Sequence, residues 1–382
     1  MNALVRNIKI WLAYLASLLI PRGKYFMFTS SPDYDDNPYA LYKYMLKTNI
    51  FAKYKFVWLL HDDKDGEKRA RVLRDNAEVI IPSSGISEWW YVFRARMVFY
   101  SHSFYNDYRF AQSDKRINLW HGTPLKKVGI DNGEEIIRTD RLLTINSTWQ
   151  SYLAHSFCLK KEQVWVTGTP RNDMMFEPTT FFAVHGINRE QYKSVGIWLP
   201  TFRKHRLENR QDGEYEVNRL AGFSFDDLRE TDRFLVEQQA LLIVKLHMYD
   251  SLQDTVFPKF KNLLIIKADE LKVPLYPLLG ATDYLITDYS SVMFDYDILQ
   301  HPMGFVVKDL EAYQNNRGFY GDQDNLEEIL PGKIIKTTDE LKDFIANYKS
   351  YYIDTHNRFN EYKDSSACER VANQVKQMAD EC

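Results

Sequence analysis

Short, continuously apolar runs recur along the whole chain, separated by longer mixed stretches, and this alternation limits the fold more than any other feature. In the first half the runs are 25–30, 55–60, 78–81, 97–101, 117–120, 142–145 and 164–166. In the second half they are 195–199, 241–246, 263–266, 284–287, 304–307 and 333–335. Most show no polar–apolar alternation, as expected of strands covered on both faces. Helix-compatible stretches lie between them, 39–48, 68–76 and 228–239 being the clearest. The pattern predicts an α/β chain of parallel sheets joined by crossover helices.

A length of 382 residues suits two such sheets. The expected division is a first helix over 1–22, a Rossmann-like domain over 23–180, a second over 181–340, and helices over 341–382 that pack back across the domains. The seam is expected at 177–193, where Pro178 follows Met174-Met175-Phe176. The polar tail from Thr338, carrying Phe344, Tyr348, Tyr351 and Tyr352, reads as helices on the outside. The charge-dense stretch 203–216 has little periodicity and reads as a mobile loop.

Leu4 to Ile20 is mostly apolar but broken by Arg6 and Lys9. Its uninterrupted part falls short of the ~20 residues that cross a bilayer. A secretory signal fits badly, because Pro21-Arg22-Gly23-Lys24 follows instead of a small-residue cleavage site. A buried helix and a helix lying in the membrane interface both stay open; Trp11, Tyr14 and the flanking basic residues suit the interface. A net charge of −3 removes bulk attraction to nucleic acid, so phosphate must be held by a few placed groups. Cys158, Cys368 and Cys382 form no C-x-x-C pair, which argues against disulfides and structural zinc.

In open α/β sheets, ligands sit beyond the carboxyl ends of the strands, and reactive residues follow several predicted strand ends. Run 117–120 leads into His121-Gly122-Thr123-Pro124, and 164–166 into Gly168-Thr169-Pro170-Arg171-Asn172-Asp173. Run 195–199 leads into Pro200-Thr201-Phe202-Arg203; 241–246 carries Lys245 and ends at His247; 284–287 opens into Asp288-Tyr289-Ser290-Ser291. A histidine after a strand is often a structural one, but the small residues after His121 would let a substrate approach the backbone. Lys245 and His247, two positions apart, would share one face of an extended strand, a costly arrangement unless an anion or water meets it. The other histidines (His61, His102, His155, His185, His205, His301, His356) lack such settings and read as structural or surface.

Ser290-Ser291 before Val-Met-Phe-Asp reads as a helix start, either an ordinary cap or a phosphate-binding tip. Asp295 then lies inside that helix, able to reach a ribose hydroxyl or simply to favour the dipole. Asp295-Tyr296-Asp297 matches a metal-binding D-x-D, though three letters define no clear ligand set. The reading therefore assigns no cofactor and no metal ligand, and leaves a divalent cation such as magnesium without an identified site. Gly168 and Pro170 fix a tight turn that aims the Arg171 guanidinium, a group suited to bidentate phosphate contacts. No P-loop, His-Glu-x-x-His or Gly-x-Ser-x-Gly pattern occurs.

At these residues the chain resembles the CDP-glycerol glycerophosphotransferase family of teichoic acid primases, polymerases and related capsule enzymes. Trp120-His121-Gly122-Thr123-Pro124-Leu125-Lys126 is the most specific match. The Gly168-x-Pro170-Arg171-Asn172-Asp173, Pro200-Thr201-Phe202-Arg203, Lys245-Leu246-His247 and Thr287-Asp288-Tyr289-Ser290-Ser291 motifs join it, with Asp36-Asn37-Pro38 and Arg317-Gly318-Phe319-Tyr320 beyond them. The resemblance implies two Rossmann-like domains facing across a cleft, as in glycosyltransferase-B folds. It also implies a short membrane-associated N-terminal helix that holds the protein peripherally, in monotopic fashion, on the cytoplasmic face of the cell membrane.

By the same resemblance, the donor is CDP-glycerol or another CDP-polyol, and the acceptor a lipid-linked glycan or polyol phosphate at the membrane surface. His121 and His247 take the family's two essential histidine positions. Gly122, Thr123, Pro124, Leu125, Arg171, Pro200, Thr201, Lys245, Leu246, Ser290, Ser291 and Asp295 take donor-contacting positions, and Arg203 is counted with them. Departures from the family pattern are Met248 after the second histidine, Lys204-His205 after the Thr-x-Arg motif, and Asp364-Ser365 near the end.

The implied reaction is attack by an acceptor hydroxyl on the polyol-bearing phosphorus, with CMP leaving. His121 would take the proton, a role suited to a group of pKa ~6.5. His247 beside Lys245 would steady the pyrophosphate or protonate the leaving phosphate, while Ser290, Ser291, Thr201 and Arg171 hold the charge that moves onto phosphate oxygens. Two rivals stand beside it: a sugar-nucleotide glycosyltransferase on the same fold, and an inactive module that binds anionic glycopolymer.

Overall fold

A computed structural model of the chain describes residues 3–61, 66–75, 77–80, 86–110, 116–202, 219–308, 320 and 329–380. The chain forms two compact units. One comprises Met1–Thr123, Gly129–Asp173 and Asp364–Cys382; the other comprises Pro124–Val128 and Met174–Lys363.

The first unit opens with helix α1 (Ala3–Leu19), strand β1 (Tyr25–Phe28), α2 (Asp36–Thr48), β2 (Lys55–Leu59), α3 (Glu67–Arg74) and β3 (Glu78–Ile80). It continues with α4 (Ile86–Arg94), β4 (Ala95–Tyr100), β5 (Arg116–Asn118), β6 (Arg141–Thr144), α5 (Ser147–Ser156) and β7 (Val164–Val166). All seven strands are parallel, in the order β3-β2-β1-β4-β5-β6-β7. In β1, Phe26, Met27 and Phe28 are all fully buried, which explains why the run shows no alternation. Phe28 stacks on Phe99 of β4 and on Trp58 of β2, tying the centre of the sheet together.

In the second unit the order along the chain is α6 (Phe181–Val184), β8 (Ser194–Trp198), β9 (Arg219–Leu220), β10 (Phe223–Ser224), α7 (Phe225–Gln238), β11 (Ala240–Lys245) and β12 (Leu263–Ile266). Then come α8 (Leu275–Gly280), β13 (Tyr284–Thr287), α9 (Val292–Tyr296), β14 (Met303–Val306), β15 (Lys333–Ile335) and α10 (Thr338–Asn347). The main sheet is parallel, ordered β12-β11-β8-β13-β14-β15, and β9 and β10 pair as a short antiparallel ribbon. Gly196 lies in the central strand where a Cβ would sit 2.0 Å from the Tyr284 ring, so only glycine lets that ring fold over β8. Helix α7 starts on a capping box in which Ser224 and Asp227 satisfy each other's backbone amides.

Both main sheets have the doubly wound order in which the first strand sits centrally and the chain then builds outward on either side. The order reverses between β1 and β4 in one and between β8 and β13 in the other. These are the positions at which the carboxyl ends of such sheets accept ligands.

The described strands follow the apolar runs closely. Helix α10 packs by one face on the second unit's core: Leu341, Phe344 and Ile345 are buried there with Tyr284 and Ile335, and Tyr348 and Tyr351 pack against them. Tyr352 alone of the aromatics named there stays exposed. A last helix, α11 (Ala367–Asp380), belongs to the first unit and lies against α2. The stretch 203–216 falls outside the described residues.

Candidate active site

In the first unit the site grows from the ends of β4 and β5. After β5 the chain turns sharply: Trp120 adopts φ +57°, a left-handed conformation that costs a bulky residue energy. Three hydrogen bonds hold the turn. The Asn118 carboxamide oxygen accepts from the Trp120 N–H at 2.9 Å. The Asn37 amide donates to the Leu119 and Trp120 carbonyls at 3.1 and 2.8 Å. Asn37 itself is fully buried, and its carbonyl oxygen accepts the Arg171 N–H at 3.0 Å. One side chain thus ties the histidine turn to the arginine turn.

His121 sits at the tip of this turn. Its Nδ1 lies 3.0 Å from the Ser101 carbonyl oxygen. A carbonyl only accepts, so this bond assigns the proton to Nδ1 and leaves the lone pair on Nε2. The ring lies 4.3 Å from that of His102 with 8° between the planes, and tilts against Trp120. Burial, then the neighbouring His102, push the His121 pKa below the usual histidine value; the Ser101 bond and Asp36 oppose the shift, and Arg171 adds to it. Part of the ring stays open to solvent, which tempers the size of the shift without reversing it. At neutral pH the imidazole is a free base.

His102, which sequence reasoning left among structural or surface histidines, is therefore part of this cluster. Its signal was present: it follows the end of β4 as His121 follows β5. Arg171 is not a surface group but is 8% exposed, and it pairs with Asp36 at 2.6 Å. Asp173, from the same motif, caps α11 by accepting the Ala367 and Cys368 N–H groups at 2.9 and 2.8 Å. Gly122 and Thr123 are buried behind His121.

Pro124 and Leu125 belong to the second unit, where the Leu125 carbonyl accepts the Tyr320 N–H at 2.9 Å. There Pro200 is buried after β8, and Asp288 after β13 accepts both the Thr201 N–H and its hydroxyl, at 3.0 and 2.9 Å. That bridge closes the reversal point of the second sheet. Lys245 ends β11 half-buried and Leu246 is fully buried. His247 lies just past the strand, its ring 5.3 Å from Phe202 and its Nδ1 accepting the Tyr249 N–H at 3.2 Å. That bond leaves the proton on Nε2, the opposite assignment to His121.

The serine pair departs from a regular cap. Helix α9 has only five residues, Ser291 is already in helical conformation, and it is the Ser290 hydroxyl that faces the Val292 N–H, at 3.4 Å. Asp295 is 1% exposed and accepts the Tyr276 hydroxyl at 2.8 Å. Asp297 accepts from Thr355 and Asn360 at 2.5 and 2.9 Å, with Lys363 at 3.5 Å, so the D-x-D carboxylates are engaged by protein groups. Among the described residues no group of three or more His, Cys, Asp or Glu is placed to hold a metal ion. Arg203 and Arg317-Gly318-Phe319 lie outside the described residues.

Parallel sheets of nucleotide-binding strand order, with histidines and hydroxyl groups at the strand ends, are the frame of an α/β protein suited to a nucleotide-linked ligand. The chain belongs to the CDP-glycerol:poly(glycerophosphate) glycerophosphotransferase family, whose sequence pattern matches residues 12–377. It is thus, as the motifs imply, an enzyme that transfers glycerol phosphate from CDP-glycerol.

It is 27% identical over 361 residues to the teichoic acid poly(glycerol phosphate) polymerase of Bacillus spizizenii strain W23, covering 87% of this chain and 86% of that protein. It is also 27% identical to the teichoic acid glycerol-phosphate transferase of Staphylococcus aureus strain NCTC 8325, over 68% of this chain and 70% of that one. Some relatives are longer: the chain spans 47% of the Bacillus subtilis polymerase. Among solved structures, the wall teichoic acid polymerase TagF soaked with CDPG shares the fold with a TM-score of 0.72 and 22% identity, over 99% of this chain and 96% of that one.

Proposed function

We propose that the chain adds a polyol phosphate, most simply glycerol phosphate, to a lipid-linked glycan or polyol-phosphate acceptor in the assembly of a teichoic acid-type polymer. The observation that carries this reading is that the two Nδ1 atoms are bound in opposite senses, His121 to the Ser101 carbonyl and His247 from the Tyr249 N–H, which assigns a base to His121 Nε2 and a donor to His247 Nε2. An acceptor hydroxyl gives its proton to His121 as its oxygen bonds to the glycerol-bearing phosphorus. The bond from that phosphorus to the CMP oxygen breaks, and the His247 N–H with Lys245 steadies the charge left on CMP. Thr201, Ser290, Ser291 and Arg171 would hold the remaining phosphate oxygens, and Asp295 the nucleoside side. The reading requires both imidazoles to serve one diphosphate, with the two units acting as the lobes of a glycosyltransferase-B arrangement.

The donor is tested by CMP release with CDP-glycerol, CDP-ribitol and, for the rival glycosyltransferase, release of UDP from UDP-sugars, each with and without a lipid-linked acceptor. Release from CDP-glycerol that rises with acceptor is expected. Silence with every CDP-polyol would remove the proposal.

The reading also places the enzyme peripherally at the cytoplasmic face of the membrane, on α1. Trp11 is 65% and Leu19 82% exposed, with Ile8, Leu12 and Leu15 also uncovered and Arg6 and Lys9 beside them, as suits a helix lying in the interface. No helix among the described residues is long and apolar enough to cross a membrane. Changing Trp11 and Leu12 together to glutamate is expected to weaken co-flotation with anionic vesicles about tenfold or more. Unchanged flotation would mean that the membrane contact lies elsewhere.

A further inference from the structure

The site contains a histidine to which the reaction as written gives no task. His102 stacks face to face on His121 at 4.3 Å. A single residue, Ser101, is bound to both: its hydroxyl lies 2.9 Å from His102 Nδ1, and its carbonyl accepts from His121 Nδ1. Ser101 is fully buried, and the strand end it belongs to is pinned to β5, where Leu119 N–H donates to the Tyr100 carbonyl at 2.7 Å. Two imidazoles held this closely and this parallel cannot comfortably carry a positive charge each.

We infer that His102 is a positioning residue for His121: stacked on it and sharing its Ser101 anchor, it fixes the plane of the base and keeps a proton from settling there prematurely. The inference rests on the reading of His121 as the base. It differs from that reading in assigning the acid side of the pH–rate profile to a pair of rings. Burial lowers the His102 pKa; the charged groups that bear on both rings are Asp36, from the first turn of α2, which favours protonation, and Arg171, which opposes it. As pH falls, a proton arriving on His102 repels a second from His121. The base therefore survives to lower pH than a lone histidine with pKa ~6.5 would.

The sign follows directly. Removing the His102 charge while keeping its stacking surface, as in His102→Phe, lets His121 accept a proton more easily. Its pKa rises, and the acid limb of CMP release moves to higher pH by about one unit. Activity about one unit below the new limb then falls roughly fivefold relative to the parent, while the rate on the alkaline plateau changes little. A purely packing role for His102 predicts no such movement, because phenylalanine stacks equally well. His102→Gln, which keeps a hydrogen-bonding group for Ser101 but no ring, guards against a phenylalanine variant that folds badly.

The experiment has two readouts on the full chain. Nitrogen-15 histidine NMR follows the titration of His121 without substrate, and CMP release from CDP-glycerol follows the rate from acid to alkaline pH. An upward shift in both supports the inference. An unchanged His121 titration in both variants overturns it, whatever the kinetics do. A shifted titration with an unmoved acid limb shows that the rings interact while His121 is not the base; the inference then falls together with the reading beneath it.

Discussion

His121→Ala is expected to lower turnover with CDP-glycerol by about 10²-fold or more while leaving the protein folded. The loss corresponds to about 2.7 kcal/mol of transition-state stabilisation. It arises because His121, anchored through Nδ1 to the Ser101 carbonyl, presents its Nε2 lone pair at the strand-end turn where the reading places the acceptor hydroxyl. Folding should persist because the ring lies at a tip open to solvent, and its removal costs one hydrogen bond to Ser101 and the contacts with His102 and Trp120. KM for the donor should change far less than kcat, since a proton acceptor acts as the new bond forms. Near-parental kcat in a folded variant would end the assignment.

Asn37→Ala should have the second-largest effect, and it should act on stability and rate together. The side chain is fully buried and makes three hydrogen bonds, two to the turn that carries His121 and one to the turn that carries Arg171. Alanine leaves two carbonyls and one N–H with no side-chain partner in the interior. At ~1–3 kcal/mol per orphaned group, partly recovered by relaxation, the expected loss is about 3 kcal/mol in a denaturant titration. The Trp120 backbone is held at φ +57° against its own preference, so releasing the clamp should also let the His121 tip wander. A kcat reduced about tenfold or more, measured where the variant is still folded, is the expected companion. A variant that lost stability but kept full kcat would show Asn37 to be a structural bolt without influence on the base.

Much of this molecule was legible in its sequence, for a definable reason. Strands buried on both faces must be apolar throughout, so runs such as Tyr25–Phe28 and Tyr284–Thr287 declare themselves without any partner being known. Histidines at the ends of such runs are equally visible. The roles that escaped notice depend on residues far apart in sequence. Asn37 is visible in the sequence as part of the Asp36-Asn37-Pro38 motif, but its partners lie 82 to 134 positions away, so its clamping role is not. His102 satisfied the same strand-end test as His121, but nothing in the local sequence reveals that the two rings stack. The place of Asp295 in a helix was readable, whereas its hydrogen bond from Tyr276, nineteen positions before it, was not. The face by which α10 meets the core is only half legible. Leu341, Phe344 and Ile345 form a three- and four-residue stripe, the spacing of a core-facing helix, but polar neighbours dominate the average.

The Asp173 carboxylate that receives the first amides of α11 has a bearing on how the protein comes to be made. Its partners lie 194 and 195 positions downstream, so a nascent polypeptide exposes the arginine turn long before the atoms that lock it exist. Until that late segment emerges and docks, the loop bearing Arg171 is held by Asn37 and Asp36 from the earlier chain but lacks its bonds to α11. Competence to grip a diphosphate is therefore among the last properties the growing chain acquires.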